Sequence, residues 1–208
     1  MASFTFFTNP MSRGQIARWA LHEAAADYET VLVPWDAKPQ ALLDANPMGK
    51  VPTLIHHGDG GDHVVSEAAA ICLYLAEVSP MAALAPRDEE RAAYLRWTFF
   101  AAGPVEQAVT ARSLGFEPKG QQETMAGFGS FDRMVETLAG HFSQNAYVCG
   151  DRFTMADVYV GSQVDWGLMF KSLPERLEFL AYAERLRARP AYQEAKAVDA
   201  DLIAQAQS

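Results

Sequence analysis

Asn46-Pro47-Met48-Gly49-Lys50-Val51-Pro52-Thr53-Leu54 places a proline at the mouth of an apolar, β-prone run that continues to His56. Proline lacks the N–H that a sheet ladder uses, so it is confined to a strand's first residue, an edge or a special turn. An ordinary strand opening satisfies that rule. A cis Val51-Pro52 bond satisfies it as well, and would turn the N–H and C=O of Val51 outward to pair antiparallel with an extended peptide ligand.

Upstream of this stretch, Ser3 to Thr8 reads as a strand built on Phe4, Phe6 and Phe7, and Asn9-Pro10 stops it. A helix follows from Arg13, with Ile16, Trp19, Ala20 and Glu23 near helical spacing, and a second apolar strand runs from Tyr28 to Pro34. A crossover helix between two strands favours parallel pairing. Lys38-Pro39 then precedes a short second helix. Downstream, Val51 to His56 and Val64-Val65 are two strands joined through the Gly58–Asp62 turn, and Glu67 to Glu77 carries Ile71, Leu75 and Val78 at helical spacing. The order is β-α-β-α-β-β-α.

Beyond Pro80 the period-two pattern does not return. Helical runs cover Asp88 to Val109, Gln121 to Ser143, Met155 to Phe170, Glu175 to Arg187 and Ala191 to Ala204. The sequence therefore predicts an α/β domain over residues 1–80, a linker over 81–86 and an all-α domain over 87–208. Thr154-Met155-Ala156-Asp157 has the form of a capping box, which assigns Asp157 to structure.

Among the 208 residues, 17 basic against 26 acidic side chains give a formal charge of −9, with no Lys/Arg cluster, which argues against a nucleic-acid partner. No run approaches the roughly 18 apolar residues of a membrane span, and Met1 to Pro10 is no leader, so a cytoplasmic protein is expected. Cys72 and Cys149 are far apart and have no metal-like spacing to a histidine; no metal is expected and inert thiols are the default. His56 and His57 are adjacent and point to opposite faces of a strand, so they do not converge on an ion.

Ser66-Glu67-Ala68 opens the third helix, where the first amides have no intrahelical partner. Such an end attracts a carboxylate, and Glu67 can take an ammonium group. The same residues also read as an N-cap with a first-turn acid. What joins these signals is their order. Asn46–Leu54, Glu67-Ala-Ala-Ala-Ile-Cys-Leu-Tyr-Leu75 and Gly150-Asp-Arg-Phe-Thr-Met-Ala-Asp157 together resemble the cytosolic glutathione transferases, bacterial members included, over nearly the whole chain. The opening Phe7 to Trp19 is similar to bacterial and fungal members.

The resemblance implies a thioredoxin-like first domain, glutathione as co-substrate, a small hydrophobic electrophile as second substrate, and a homodimer formed by the helices after Arg87. It implies that Val51, presented by Pro52, bonds the cysteinyl part of glutathione, that Glu67 and Ala68 receive the γ-glutamyl end, and that Lys38 reaches the glycyl carboxylate. Arg13 and Lys50 lie in the same region as further positive charge, and Lys38 and Lys50 read equally as solvated surface lysines, Lys50 facing either the ligand or solvent. Many members carry Ser where Ala68 stands, so one hydrogen bond is missing. The family's thiol-activating donor aligns with Met11, which cannot donate. Ser12, followed by Thr8 and Asn9, is the candidate, although Ser12 also reads as the N-cap of the first helix. Trp97, Phe99, Phe100 and Phe116 would line the electrophile pocket or belong to the core, and Gln107 and Arg112 would approach the partner's ligand.

Activity then divides between conjugation, glutathione-dependent peroxide or disulfide reduction, and isomerisation, with a non-catalytic binding protein as the alternative that Met11 and Ala68 favour. A thioredoxin-type oxidoreductase needs a cysteine near the first helix, and none precedes Cys72.

Overall fold

A computed structural model describes residues 2–207. Its first half follows β1 (Phe4–Thr8), α1 (Gly14–Glu23), β2 (Tyr28–Leu32), α2 (Gln40–Ala45), β3 (Thr53–Gly58), β4 (Gly61–Ser66) and α3 (Ala68–Val78). This is the anticipated β-α-β-α-β-β-α order of a thioredoxin-like domain, with an all-helical region after it. The strands lie in the order β2-β1-β3-β4, with β1 and β2 parallel and the other two pairs antiparallel. Phe6 and Phe7 of β1 and Leu54 of β3 are buried, as are Ile16, Trp19 and Leu21 of α1 and Ile71 and Leu75 of α3. The two helices therefore bury the apolar stripes that their spacing announced.

β4 is longer than Val64-Val65, because pairing extends from Gly58↔Gly61 to Thr53↔Ser66. The hairpin turn shrinks to Asp59-Gly60. His63 and Val64 on this edge strand are exposed and its ladder is polar on one side, so hydrophobicity alone marks only its centre.

The helical region contains α4 (Arg91–Phe100), α5 (Glu106–Ser113), α6 (Gln121–Met125), α7 (Phe131–Phe142), α8 (Met155–Met169) and α9 (Leu177–Arg187). Two runs expected to be continuous are interrupted. A π-helical turn over Ala101–Val105 separates α4 from α5, where Pro104 removes a backbone donor. Ala126 to Ser130 breaks α6 from α7, with Gly129 at φ +67°. α8 is buried along most of its length, and Asp157 explains how its start is held. That carboxylate accepts from Val148 N at 2.7 Å, Thr154 N at 2.8 Å, Thr154 Oγ1 at 3.0 Å and Tyr182 Oη at 2.9 Å. Four donors compensate a buried group whose pKa burial pushes up to about 6.

The division of the chain differs in one respect from a split at 81–86. Everything up to Ala85, together with the chain from Ala188 onward, forms one compact unit, and Pro86–Arg187 forms the other. α10 (Pro190–Gln207) thus belongs with the sheet domain and packs on α1. The two helices run antiparallel. Glu23 pairs with Arg189 at 2.6 and 2.7 Å, Trp19 meets Tyr192 edge-on at 5.0 Å, and Gln15 accepts from Lys196 at 2.7 Å. At the centre, buried Arg18 donates through Nε to buried Asp199 at 2.8 Å. Its Nη1 reaches Tyr28 Oη at 3.2 Å and Thr30 Oγ1 at 3.3 Å on β2, so one side chain joins three elements.

Candidate functional site

Strand register assembles the site. Phe7 of β1 opposes Thr53 of β3, and Thr53 opposes Ser66 of β4. One residue further along each strand lie Thr8, Pro52 and Glu67, which therefore stand abreast at one end of the sheet. Thr8 also pairs with Leu32, whose strand leads into the segment that carries Lys38. Residues distant in sequence, at 8, 38, 51, 52 and 67, thus share one edge.

The Val51-Pro52 bond is cis. Neither the N–H nor the C=O of Val51 is engaged by a partner among the described residues. The turn that presents it is fixed by a residue overlooked in the sequence. Buried Asn46 donates to Thr53 Oγ1 at 3.0 Å and to Lys50 O at 3.3 Å, and its Oδ1 accepts from Met48 N at 3.2 Å. Thr53 Oγ1 closes the ring by donating to Lys50 O at 2.9 Å. Asn46-Pro47, a turn-opening dipeptide, was the available signal. Gly49 adopts φ +58°, and a Cβ on it would lie 3.0 Å from Lys38 Cδ and 3.1 Å from Lys38 Nζ. Lys38 therefore lies across Gly49, two residues before Val51. Lys50 is exposed beside it.

Glu67 is exposed and has φ 68° and ψ 120°, a conformation rare for a residue with a Cβ. Positive φ outside glycine costs on the order of 1–3 kcal/mol and concentrates at ligand-holding sites. α3 starts directly after it, and buried Ala68 is its first residue. The helix's opening amides and positive dipole end therefore face the same sheet edge as Val51.

The donor candidates sit in the turn between β1 and α1. Ser12 Oγ donates to Asn9 O at 2.7 Å and accepts from Gly14 N at 2.9 Å, so its proton is directed into the turn. Asn9 Nδ2 donates to Val33 O at 3.0 Å, and its Oδ1 accepts from Met11 N at 2.9 Å. A primary amide has two N–H bonds, and the second of Asn9 has no partner among the described residues. Thr8 is fully buried, and its hydroxyl is likewise without a partner among them. Gly14 explains how α1 starts so close: a Cβ there would lie 1.9 Å from Thr8 Oγ1. Arg13 is exposed at the helix start, and Met11 is 62% exposed.

The four aromatics of the helical region do not act as one wall. Trp97 is buried, with its ring 5.2 Å from Phe100 and 4.1 Å from His141, which makes it core. Phe99 is exposed, while Phe116 borders a cavity of about 290 Å³ with Arg112 and Phe131. Burial pushes the Cys72 thiol far up and the Cys149 thiol up to about 11, so neither is poised as a thiolate. Among the described residues no group of three His, Cys, Asp or Glu side chains is placed to hold a metal, and no helix is long and apolar enough to cross a membrane.

Two family models match the chain: the glutathione S-transferase N-terminal domain over residues 11–78 and the glutathione S-transferase C-terminal domain over residues 91–190. Glutathione S-transferase GstA of Escherichia coli O157:H7 is 27% identical, covering 91% of this chain and 95% of its own. Maleylacetoacetate isomerase of Rattus norvegicus is 30% identical over 61% of this chain and 57% of its own. A sphingomonad glutathione S-transferase solved with glutathione superposes with a TM-score of 0.74 at 25% identity, covering 94% of this chain and 98% of that one.

Proposed function

The chain belongs to the glutathione S-transferase family, and within it we propose that it binds glutathione along the Val51–Glu67 edge and activates the thiol at Asn9 for attack on a small apolar electrophile. The observation that carries this is the common row of Thr8, Pro52 and Glu67, with the unpaired backbone of Val51 beside the start of α3. Val51 takes the cysteinyl unit by main-chain bonds, Glu67 and the Ala68 amide take the ammonium and carboxylate of the γ-glutamyl end, and Lys38 takes the glycyl carboxylate. Lys50 and Arg13 offset the surrounding acidity. Family membership and a relative solved with glutathione support the ligand.

The thiolate is the nucleophile, and a hydrogen bond to it lowers the thiol's pKa. Asn9 is the assigned donor because its second amide hydrogen remains available, whereas the Ser12 hydroxyl caps the turn. With an aryl chloride, sulfur bonds to the ring carbon, the carbon–chlorine bond breaks, chloride leaves with its electron pair, and the thiol proton passes to solvent. A homodimer and a cytoplasmic location belong to the same reading.

Asn9→Ala is expected to raise the pKa of bound glutathione, followed by thiolate absorbance, and to slow conjugation of 1-chloro-2,4-dinitrobenzene by about 10-fold or more, the worth of one hydrogen bond to a charged group. Ser12→Ala should change that pKa little. The reverse pattern would return the role to Ser12. Retention on glutathione-agarose without conjugation or peroxide reduction would favour a binding protein. The isomerase relative supplies a second assay, cis–trans isomerisation of a maleyl substrate.

A further inference from the structure

Three amides stand in line between α10 and Asn9. Lys196 of α10 is half-buried, with its Nζ 5.5 Å from the centre of the Tyr192 ring, and it donates to Gln15 Oε1 of α1 at 2.7 Å. The other end of the same side-chain amide, Gln15 Nε2, donates to Pro10 O at 2.6 Å. The two ends of Gln15 cannot be exchanged, because an ammonium only donates and a carbonyl only accepts. The Pro10 C=O and the Met11 N–H belong to one planar peptide unit, so holding the first orients the second. Met11 N donates to Asn9 Oδ1 at 2.9 Å, and Asn9 Nδ2 donates to Val33 O at 3.0 Å. The remaining N–H of Asn9 is the one assigned to the thiol. All of these residues lie in one compact unit.

We infer that Gln15 and Lys196 are positioning residues for the thiol-activating donor, forming with the Pro10–Met11 peptide a relay that orients the Asn9 amide and polarises it from a cation. This rests on the glutathione reading above, since Asn9 gives the relay its far end. Every link runs the same way: an oxygen accepts on the side of α10 and an N–H donates on the other. Aligned hydrogen bonds away from bulk water strengthen one another, and a positive charge at the accepting end makes the last N–H a better donor to an anion. Lys196 therefore favours the thiolate without touching it. Gln15 also sets geometry, because rotation of the Pro10–Met11 peptide carries away the N–H that holds Asn9 Oδ1. Ser12 fixes the backbone of the same turn through Asn9 O and Gly14 N, so the turn persists when Gln15 is lost while the Asn9 amide loses its aim.

The test uses the full chain and follows the thiolate absorbance of bound glutathione against pH. Gln15→Met keeps the side chain's length and deletes both bonds. It should raise the pKa of the bound thiol by about half a unit and slow conjugation of 1-chloro-2,4-dinitrobenzene below that pKa about threefold. The KM for glutathione should stay within about twofold, because Val51 and Glu67 lie on other segments. Lys196→Met should move the thiol pKa in the same direction, and Lys196→Arg, which still donates, should fall closer to the wild type. Lys196→Met should add nothing in a Gln15→Met background, and Gln15→Met should add nothing in an Asn9→Ala background. Unmoved thiol pKa values in folded, glutathione-retaining Gln15→Met and Lys196→Met would overturn the inference alone. Full additivity with Asn9→Ala would do the same, as would equal behaviour of Lys196→Arg and Lys196→Met. If Gln15→Met does not fold, the two Lys196 variants decide the matter by the same thiol pKa. A thiol pKa in Asn9→Ala that matches the wild type would instead overturn the Asn9 reading on which the relay stands, and loss of glutathione-agarose retention in the wild type would overturn the glutathione reading itself.

Discussion

At the residue scale, Ala68 and Gly14 make opposite demands on one methyl-sized volume. Ala68 heads α3 with an amide but no hydroxyl, so Ala68→Ser adds one donor to the proposed carboxylate site. A hydrogen bond to a charged group contributes about 1.5–3 kcal/mol. Calorimetric titration should therefore show glutathione binding about tenfold tighter in Ala68→Ser, and no gain would mean that the ligand's carboxylate lies elsewhere. Gly14 tolerates no addition, because a Cβ would lie 1.9 Å from the buried Thr8 hydroxyl and 3.0 Å from Ser12 Oγ. Gly14→Ala is expected to cost about 1–3 kcal/mol in denaturant unfolding and to displace the turn that carries Asn9. Glycine was visible in the sequence, but its reason was not, since Thr8 becomes its neighbour only when β1 and α1 dock.

At the element scale, the start of α4 is an electrostatic joint. Glu90 stands at its N-cap position, accepts from Arg87 N at 2.7 Å and is gripped by Arg152 through two nitrogens, one of them Nε at 2.9 Å. The Arg152 hydrogen bonds, aided by the Arg87 amide and opposed by burial, hold the Glu90 carboxyl down at about 2 from its ordinary 4.5. A carboxylate whose pKa falls on folding stabilises the protein above its unfolded pKa and loses that contribution as pH falls through the folded one. Wild-type stability should therefore decline by about 2–3 kcal/mol between pH 4.5 and pH 2 on account of this group alone. Glu90→Gln should be less stable at neutral pH and should lack that part of the acid slope when urea unfolding is followed across the window. Asp88-Glu89-Glu90 puts acids at this helix start, where they suit its dipole, but the stronger effect comes from a partner 62 residues away. The same limit explains α4 and α5: their apolar spacing was legible as one helix, whereas the interruption at Ala101–Val105 follows from Pro104 within it.

At the scale of the molecule, α10 is the element whose membership changed. Its spacing announced a helix from Ala191 to Ala204, and everything after Pro80 looked like one helical domain. Yet Arg18–Asp199, Glu23–Arg189 and the Trp19–Tyr192 contact tie it to α1. If it belongs to the sheet domain energetically, the amides of residues 190–203 should exchange with deuterium in the same cooperative opening as those of α1, and apart from those of α8. Exchange in step with α8 would assign it to the helical unit instead. A double-mutant cycle on Glu23 and Arg189 should give a coupling of about 1–3 kcal/mol, in the range of charge-assisted bidentate pairs with little exposure.

What the sequence determined by itself were features written within a few residues: the proline at the entrance to β3, the apolar periods of the strands and helices, the capping box at Thr154–Asp157, and the order of motifs that marks the family. Those depend on backbone preferences and side-chain spacing, which neighbours in the chain largely set. Tertiary structure alone decided the row of Thr8, Pro52 and Glu67, the commitment of the Ser12 hydroxyl to Asn9 and Gly14, the turn built by Asn46, and the docking of α10 over Met11. An apolar stripe states that a helix will be buried but not against what, and a strand's alternation states its face but not its register. Both are settled only when segments far apart in the chain compete for the same surface.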